Sequence, residues 1–361
     1  MKKVILGLSG GVDSSVSVIM LQKAGYEVEG IYIQNLDSKQ EDDLNLIDAR
    51  RVAQITGIKF HVVNLVSENN DYVFNYFIDE YKNGRTPSPC IMCNKNIKFK
   101  AFLDFAQNLG GDYIAMGHYA QTEVIDGVTY LKKGFDKNKD QTYFLCMLTK
   151  EQISKTLFPV GHLDKPTVRQ IALENNLVTA RKKDSMDICF VGKDKFNDFI
   201  DKYIAPTPGP MMTLDGKKVG THNGLCHYTI GQRKGLQIGG LNGYSNEPWF
   251  SIGKDLDKNI LYVGQGFHNP YLYSNKCICK NYNFNAIPLD ENKEYGVKFR
   301  YRSEDVKAKI KVLNETEILV TYEDTARAVT PGQGCAIYDN DYCLGGAIID
   351  RVFMDDEERK Y

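Results

Sequence analysis

The first half of the chain alternates short apolar runs with stretches in which apolar residues recur at helical spacing. Strands buried on both faces are continuously apolar and helices carry one apolar stripe, so this alternation predicts a parallel sheet covered by helices. The predicted strands are 3–8, 28–33, 59–65 and 112–116, and the predicted helices are 13–24, 44–56, 72–81 and 95–109. The expected fold class is therefore an α/β domain with a doubly wound parallel sheet.

The pattern changes at the proline-rich stretch 206–210, which predicts a linker. Beyond it the chain is rich in glycine and tyrosine. Residues 306–312 alternate strictly between apolar and basic, and 297–302 repeat the theme, so both are predicted strands. We therefore expect an α/β domain over 1–205, a small, mostly β central domain over 206–272 and a C-terminal β-barrel over 273–361.

Composition narrows the class of protein. The 361 residues carry a formal net charge of −1, so any RNA binding must use local basic patches, such as 181–183 or Lys307, Lys309 and Lys311. No apolar run approaches the ~20 residues of a membrane helix, and the apolar stretch behind Lys3 is too short for a signal peptide. We expect a cytoplasmic protein whose nine cysteines are reduced thiols.

The sharpest local signal is the segment 9–15, which reads SGGVDSS between an apolar strand and an amphipathic helix. Paired glycines allow a tight turn close to an anion, and the N–H groups of the following helix donate to phosphate oxygens. Asp13 tolerates phosphate only with Mg²⁺ between them. The loop resembles the pyrophosphatase loop of enzymes that split ATP between its α and β phosphates and adenylate an oxygen. Argininosuccinate, GMP and NAD synthetases share it, so the acceptor stays open, and a Ser/Asp N-cap on a glycine turn is the structural alternative.

The cysteines are the second source of chemistry. Cys90 and Cys93 lie in a proline-bounded loop before a predicted helix. A helix N-terminus near Lys95 and Arg85 favours thiolate, so we expect a thiol pKa below about 8.5. Cys189 follows a basic cluster, although a buried hydrophobic role also suits an isolated cysteine.

Zinc is the other chemistry that a CxxC pair favours. The remaining close pair, Cys277 and Cys279, has strand spacing that holds the thiols about 7 Å apart along one face. A tetrahedral site needs four convergent ligands, so a four-cysteine zinc site is disfavoured.

Seven motifs, in order along nearly the whole chain, resemble signatures of the tRNA-specific 2-thiouridylase family. They are the loop at 9–15, GRTPSP at 84–89 followed by CNKNIKF at 93–99, GHYA at 117–120, KDQTYFL at 139–145, DSMDICF at 184–190, HYTIGQR at 227–233 and RYR at 300–302. The resemblance implies an N-terminal domain of the adenine nucleotide alpha hydrolase type.

The resemblance also implies roles for individual residues. Cys93 matches the catalytic nucleophile and Cys189 the cysteine that carries a persulfide. The positions that contact ATP are Gly7, Leu8, Ser9, Gly10, Gly11, Val12, Asp13, Ser14, Ile33 and Gly117. The positions that contact RNA are Ser88, Pro89 and Cys90, around the target base, and His118, Lys139, Asp140, Gln141, Arg300, Tyr301 and Gln333.

The implied reaction has two steps. ATP with Mg²⁺ adenylates O2 of the wobble uridine of tRNA and releases pyrophosphate; persulfide sulfur then attacks C2, AMP leaves, and the second cysteine forms a disulfide. The implied partners are a tRNA with a modifiable wobble uridine and a sulfur donor, either a cysteine desulfurase or a persulfide relay protein.

The chain departs from the better-known members at three positions. It has Cys90 where they have Asp, Thr142 where they have Ser and Ile33 where they have Met. Cys90, Cys93 and Cys189 could together ligate a [4Fe-4S] cluster with one open iron, which is an alternative form of the same enzyme.

Two further alternatives stay open. An ATP-dependent amide or guanidine synthetase would use the same loop but leaves Cys93 and Cys189 without a role. A non-catalytic tRNA-binding module would need neither cysteine. The target base must leave its stack, and the glycine-rich stretch 231–243 is a candidate lid or a plain turn.

Overall fold

The computed structural model describes residues 1–35, 43–184, 188–191, 196–240 and 243–360. Residues 185–187 of the DSMDICF motif and residues 241 and 242 of the candidate lid lie outside this description. Every proposed site residue lies inside it.

The described residues form eighteen strands. They are β1 (Lys3–Gly7), β2 (Glu27–Gln34), β3 (Lys59–Asn64), β4 (Tyr113–Ala115), β5 (Ala120–Ile125), β6 (Val128–Lys133), β7 (Thr156–Leu157), β8 (Gly209–Met212), β9 (Lys218–His222), β10 (Trp249–Asp255), β11 (Ile260–Gln265), β12 (Tyr273–Phe284), β13 (Glu294–Lys298), β14 (Val306–Val312), β15 (Glu317–Arg327), β16 (Gly334–Asp339), β17 (Tyr342–Met354) and β18 (Glu357–Glu358).

The α-helices belong mainly to the first half of the chain. They are α1 (Val12–Lys23), α2 (Leu44–Thr56), α3 (Val66–Asn69), α4 (Asn75–Lys82), α5 (Pro89–Met92), α6 (Phe102–Asn108), α7 (Thr142–Leu145), α8 (Lys150–Ser154), α9 (Lys165–Glu174) and α10 (Phe196–Ile200). Asp43 accepts from the N–H groups of Asn45 and Leu46 at the start of α2, and Gly57 ends that helix with φ of 68°.

The N-terminal sheet is parallel, with strand order β3-β2-β1-β4-β7. Alternate residues of β1 face opposite cores, since Ile5 packs in one buried cluster and Val4 and Leu6 in the other. The doubly wound sheet is therefore confirmed. The order reverses between β1 and β4, and ligands of such sheets bind beyond the carboxyl ends of the strands at this point.

The two predicted helices 72–81 and 95–109 are not α-helical along their whole length, because each overlaps a π-helical segment. Asn70–Phe74 lies between α3 and α4, and Cys93–Ala101 lies between α5 and α6. In a π-helix the backbone hydrogen bonds join residues five positions apart, so these residues lie on nearly the same face of the helix. In an α-helix the residues that share a face in this way are four positions apart. The second segment therefore places Lys98 on the face that carries Cys93, a relation that an α-helix would not give.

The central region is a mixed four-stranded sheet with order β10-β11-β8-β9, which confirms its β character. The C-terminal region is a closed antiparallel barrel with order β12-β15-β14-β13-β16-β17, closed by pairing of β12 with β17. The hairpin β5–β6 of the N-terminal half extends this sheet by pairing Lys132 with Tyr342. The barrel is thus continuous with a segment that the sequence groups with the α/β domain.

Two predictions about the barrel need correction. The predicted strand 297–302 ends at Lys298, because the chain turns at Arg300, whose carbonyl accepts from the N–H of Ser303 at 3.1 Å. The thiols of Cys277 and Cys279 lie 3.5 Å apart rather than about 7 Å, since a bulge at Ile278 and Cys279 in the pairing with β17 interrupts the alternation.

The basic strand β14 follows its prediction. Lys307, Lys309 and Lys311 are exposed, and Ala308 and Ile310 are buried in the barrel. Within the part of the chain that the structure describes, none of the helices combines the length and the apolar character that crossing a membrane requires.

Candidate functional site

The loop between β1 and α1 has the geometry of an anion site. No side chain caps the N-terminus of α1, so its backbone N–H groups are available to a phosphate. The hydroxyls of Ser9 and Ser14 lie 3.1 Å apart, and Ser15 donates to the carbonyl of Gly11 at 2.7 Å. These contacts hold the turn in the form that the sequence predicts for a phosphate loop.

Glycines allow the loop to pack tightly against its neighbours. Gly10 has φ of +71°, and a Cβ there would lie 2.1 Å from the carbonyl oxygen of Asn45. A Cβ on Gly117, just after β4, would lie 2.7 Å from the backbone nitrogen of Ser14. The loop and Gly117 therefore touch at the point where the strand order reverses, with Ile33 near the end of the adjacent β2.

Asp13 belongs to a network of charges that sequence reasoning missed. Its carboxylate accepts from the ammonium of Lys165 at 2.6 and 2.9 Å and from the hydroxyl of Tyr119 at 2.8 Å. Lys165 also lies 2.9 Å from Asp184, which Lys139 and Arg169 contact at 2.8 Å each. The network brings Lys165 and Arg169 of α9 and Lys139 of the loop before α7 to the phosphate loop, which lacks the lysine of a Walker A motif.

These contacts set the charge of Asp184. Burial alone would raise its pKa, but hydrogen bonds and charge from Lys139 and Lys165 hold the pKa below its ordinary value. The carboxylate stays ionised beside the loop.

Lys182 is a further cation of the loop. Its ammonium donates to the carbonyl of Gly10 at 2.9 Å and contacts Asp48 at 2.6 Å. Arg181 and Lys183 on either side are exposed. We expected residues 181–183 to form a basic patch for RNA. Lys182, the central residue of that cluster, instead bonds to the phosphate loop.

The cysteines lie at the same edge of the sheet. Cys93 is 5% exposed and packs in the core cluster that Ile33, Phe190 and Tyr301 also touch. Cys189 is exposed, with its sulfur 3.9 Å from the side-chain nitrogen of Asn35, which follows β2. All nine cysteines are free thiols.

The expected low pKa of the cysteine pair is wrong. Burial raises the pKa of Cys93 to about 12, and the helix N-terminus does not offset this. Desolvation by the surrounding protein also raises the pKa of Cys90, although part of its surface is exposed. The cation that opposes the rise is Lys98, not Lys95 or Arg85. Arg85 is instead held by Glu80 and Asp350 at 2.8 Å each.

Lys98 links four groups of the site. Burial alone would lower its pKa, but the thiols of Cys93, Cys90 and Cys189 raise it above its ordinary value. Burial and the charge of Lys98 lower the pKa of His118 to about 3, so this ring is neutral. His118 Nδ1 is buried and has no hydrogen-bond partner among the described residues.

Several residues expected at the RNA also bond within the protein. Gln333 donates to the carbonyl of Thr86 at 2.7 Å, and Arg300 donates to the carbonyls of Ile230 and Ala328 at 2.9 Å each. Asp140 accepts from the N–H of Gly134 at 3.0 Å, and Gln141 accepts from the N–H of Tyr119 at 2.9 Å. Their contacts with tRNA stay a prediction.

The remaining RNA candidates surround the cysteine loop. Tyr301 packs its ring 4.4 Å from that of Phe144. Pro89 is buried, Ser88 is half-buried, and Cys90 is exposed. The site therefore combines an uncapped helix N-terminus, a buried thiol beside an ammonium and two exposed thiols.

Comparison with known families covers the three regions of the chain separately. Residues 2–193 match the family described as tRNA methyl transferase HUP domain, 197–265 match tRNA methyl transferase PRC-barrel domain, and 274–349 match aminomethyltransferase beta-barrel domain.

Similar curated proteins match over nearly their whole length. The tRNA-specific 2-thiouridylase MnmA of Bacillus velezensis is 50% identical over 98% of this chain and 96% of its own. The proteins of the same name from Streptococcus agalactiae serotype Ia and Bacillus subtilis are each 49% identical, over 99% and 98% of this chain and 98% and 96% of their own. A solved 4-thiouridine synthetase in complex with RNA and ATP is 17% identical with a TM-score of 0.35, over 52% of this chain and 44% of that one, a likeness too weak to add weight. On the full-length matches, the chain belongs to the family of tRNA-specific 2-thiouridylases.

Proposed function

We propose that the protein replaces O2 of the wobble uridine of tRNA with sulfur, using ATP to activate the oxygen and a cysteine persulfide as the immediate sulfur source. The observation that carries this proposal is the convergence of the phosphate loop, Cys93 and Cys189 at the carboxyl edge of one parallel sheet. Activated oxygen and sulfur must meet at one carbon, and this edge offers both groups.

In the first step the loop at 9–15 binds the triphosphate and the cations around it stabilise the departing pyrophosphate. Lys182 lies on the loop, and Lys165 lies against Asp13. Asp13 is the carboxylate placed to hold Mg²⁺ when ATP binds, since Mg²⁺ prefers oxygen ligands and phosphates. Adenylation turns O2 into part of a good leaving group, AMP.

In the second step the outer sulfur of a Cys189 persulfide attacks C2 of the base, and the C2–O bond to AMP breaks. The Cys93 thiolate then attacks the Cys189 sulfur, forms the Cys93–Cys189 disulfide and releases 2-thiouridine. The disulfide needs two electrons and two protons from a thiol reductant before the next cycle.

The exposure of the thiols fits this order. Cys189 is exposed and accessible to a sulfur donor, whether a cysteine desulfurase or a persulfide relay protein, whereas Cys93 is buried. The pKa of Cys93 stays raised although Lys98 opposes the rise, so its reaction must wait until the bound substrate stabilises the thiolate further. A tRNA substrate and reduced thiols suit a cytoplasmic enzyme.

The test is formation of 2-thiouridine in tRNA incubated with the protein, ATP, Mg²⁺ and a persulfide source. Cys93→Ser and Cys189→Ser should each abolish the product, and Cys277→Ser, in the barrel core, should leave it. ATP-dependent release of pyrophosphate with no thiolated base, from the unsubstituted protein, would overturn the proposal and favour a synthetase. Unchanged product in Cys93→Ser would favour a binding module.

The cluster alternative has its own measurement. Iron analysis of anaerobically purified protein and of Cys90→Ala separates the two forms. Full activity without iron supports the persulfide route, while loss of iron and activity together in Cys90→Ala supports a [4Fe-4S] cluster on Cys90, Cys93 and Cys189.

A further inference from the structure

A second group of metal-ligating side chains lies outside the thiolation site. Asp201 directly follows α10, and Cys226 and His227 lie on the 3-10 turn Leu225–His227 of the central region. The ligand atoms of the three residues all lie within 4.8 Å of one another. The proposed thiolation mechanism uses none of them.

The donor set is one that zinc prefers. We propose that Asp201, Cys226 and His227 bind one Zn²⁺ ion that joins the end of the α/β domain to the central region. Zinc binds cysteine sulfur, imidazole nitrogen and carboxylate oxygen at about 2.0–2.3 Å, so ligands of one ion lie roughly 3–4 Å apart. The observed spacing requires only small side-chain movements to reach that geometry.

Charge and access agree with this site. An ionised Asp201 and Cys226 balance the two charges of the ion, and His227 ligates as the neutral ring. His227 is 6% exposed and Asp201 33% exposed at the side chain, so the cysteine and histidine are shielded while the carboxylate faces solvent. An ion can enter from the Asp201 side, and water can fill its remaining position.

The groups that face the cluster include one cation. Lys254 is buried and donates to the carbonyl of Gly84 at 2.8 Å. Burial and the charge of Asp201 raise the pKa of Cys226, and the charge of Lys254 opposes that rise only in part. His227 Nε2 and Asp201 are 2.6 Å apart as a hydrogen-bonded pair, and Cys226 has no comparable partner within this group.

The site has a structural consequence for the thiolation centre. Cys226 packs in the same apolar cluster as Phe77, Phe199 and Ile200, and Phe190 lies against that cluster. Phe190 follows Cys189 directly. An ion at this position therefore holds Cys226 in the apolar cluster against which the segment that carries Cys189 packs.

The experiment uses the full chain with Cys90→Ser, Cys93→Ser and Cys189→Ser, which removes the thiols of the thiolation centre as competing ligands. Metal-free protein is titrated with Zn²⁺ against a chromophoric chelator, and with Co²⁺ to record thiolate-to-cobalt charge-transfer absorption. We expect one equivalent of Zn²⁺ and a thiolate band that Cys226→Ser abolishes. Cys226→Ser and His227→Gln should each weaken binding at least about 100-fold, since even outer-shell changes cost 10–100-fold.

Matched controls are available, one of them on α10. Asp198→Asn changes an exposed carboxylate of α10, and His162→Gln changes an exposed histidine; neither should alter the affinity. If Cys226→Ser fails to fold by circular dichroism, Asp201→Asn and His227→Gln decide the matter through loss of the Zn²⁺-dependent rise in melting temperature. Zinc binding weaker than about 10 μM in the background protein, or binding that these substitutions leave unchanged, would overturn the proposal.

Discussion

Lys98 is the cation that opposes the rise in the pKa of Cys93, and removing it gives the most direct test of the site's electrostatics. Lys98→Met keeps the length and apolar character of the side chain but removes the charge. An opposite charge within a few ångströms typically moves a pKa by about 1–3 units, so the pKa of Cys93 should rise by that amount.

The expected change in rate follows from two opposing effects. Below its pKa, the thiolate fraction falls tenfold for each unit by which the pKa rises. The remaining thiolate becomes more nucleophilic, with a Brønsted coefficient of about 0.4–0.5, which offsets nearly half of the loss on a logarithmic scale. A shift of about 1–3 units should therefore slow alkylation of Cys93 by roughly 3- to 60-fold.

The assay measures alkylation of Cys93 by iodoacetamide between pH 7 and 9 in protein with Cys90→Ser and Cys189→Ser. The logarithm of the rate should rise by one per pH unit in both proteins, because both lie below the pKa of Cys93, and Lys98→Met should give a lower parallel line. Lys100→Met, an exposed lysine of the same π-helical segment, is the control. Equal rates for Lys98→Met and the control, with unchanged melting temperatures, would refute the assigned role of Lys98.

Four further outcomes follow from the structure. Gly10→Ala should destabilise the protein by roughly 3 kcal/mol or more in urea unfolding and abolish ATP binding. Gly25→Ala, also at positive φ but with nothing within 4 Å of its Cβ, should destabilise it by only about 1 kcal/mol. Equal costs would contradict the close packing of the loop. Burial alone would raise the pKa of Glu29, but Lys3 and His61 lower it from 4.5 to about 2. The ionised carboxylate therefore stabilises the fold above pH 4.5, and this contribution disappears as the pH falls toward 2. The difference in unfolding free energy between wild type and Glu29→Gln should shrink over that range, and a constant difference would exclude the effect. Raising salt from about 50 to 200 mM should weaken tRNA binding steeply, with a smaller slope in Lys309→Gln if β14 meets phosphates, while a flat profile would remove that surface from the interface. Gln333→Leu should lower kcat for thiolation about tenfold and leave the KM for tRNA near its original value, because a partly buried hydrogen bond to the cysteine loop is lost.

The sequence could predict the sheet and the phosphate loop because both depend on local order. Apolar runs at 3–8 and 28–33 and the SGGVDSS turn require no knowledge of distant residues, and the strand order then places Gly117 against the loop. The same local reasoning could not find Lys165, which reaches Asp13 across 152 positions. Its only signal is indirect, since a phosphate loop without its own lysine must obtain a cation elsewhere.

The cysteine prediction was wrong for a physical reason that residue order does not carry. A helix N-terminus and neighbouring cations lower a thiol pKa, but burial of Cys93 outweighs them. How deeply a side chain is buried depends on the whole fold. The π-helical segment adds to this difficulty, because α-helical spacing would turn Lys98 away from Cys93.

The barrel positions the cysteine loop. The backbone of Thr86 donates to the carbonyl of Pro331 at 2.9 Å and accepts from Gln333 at 2.7 Å, and Arg85 contacts Asp350 at 2.8 Å. Gly332 permits this approach, since a Cβ there would lie 2.9 Å from the backbone of Thr86. A loop held from both sides keeps Cys93 fixed relative to a base, which is a condition for attack at one atom. For this reason a change at Gln333 that raised KM and spared kcat would assign the residue to the RNA, whereas loss of kcat alone would assign it to the loop.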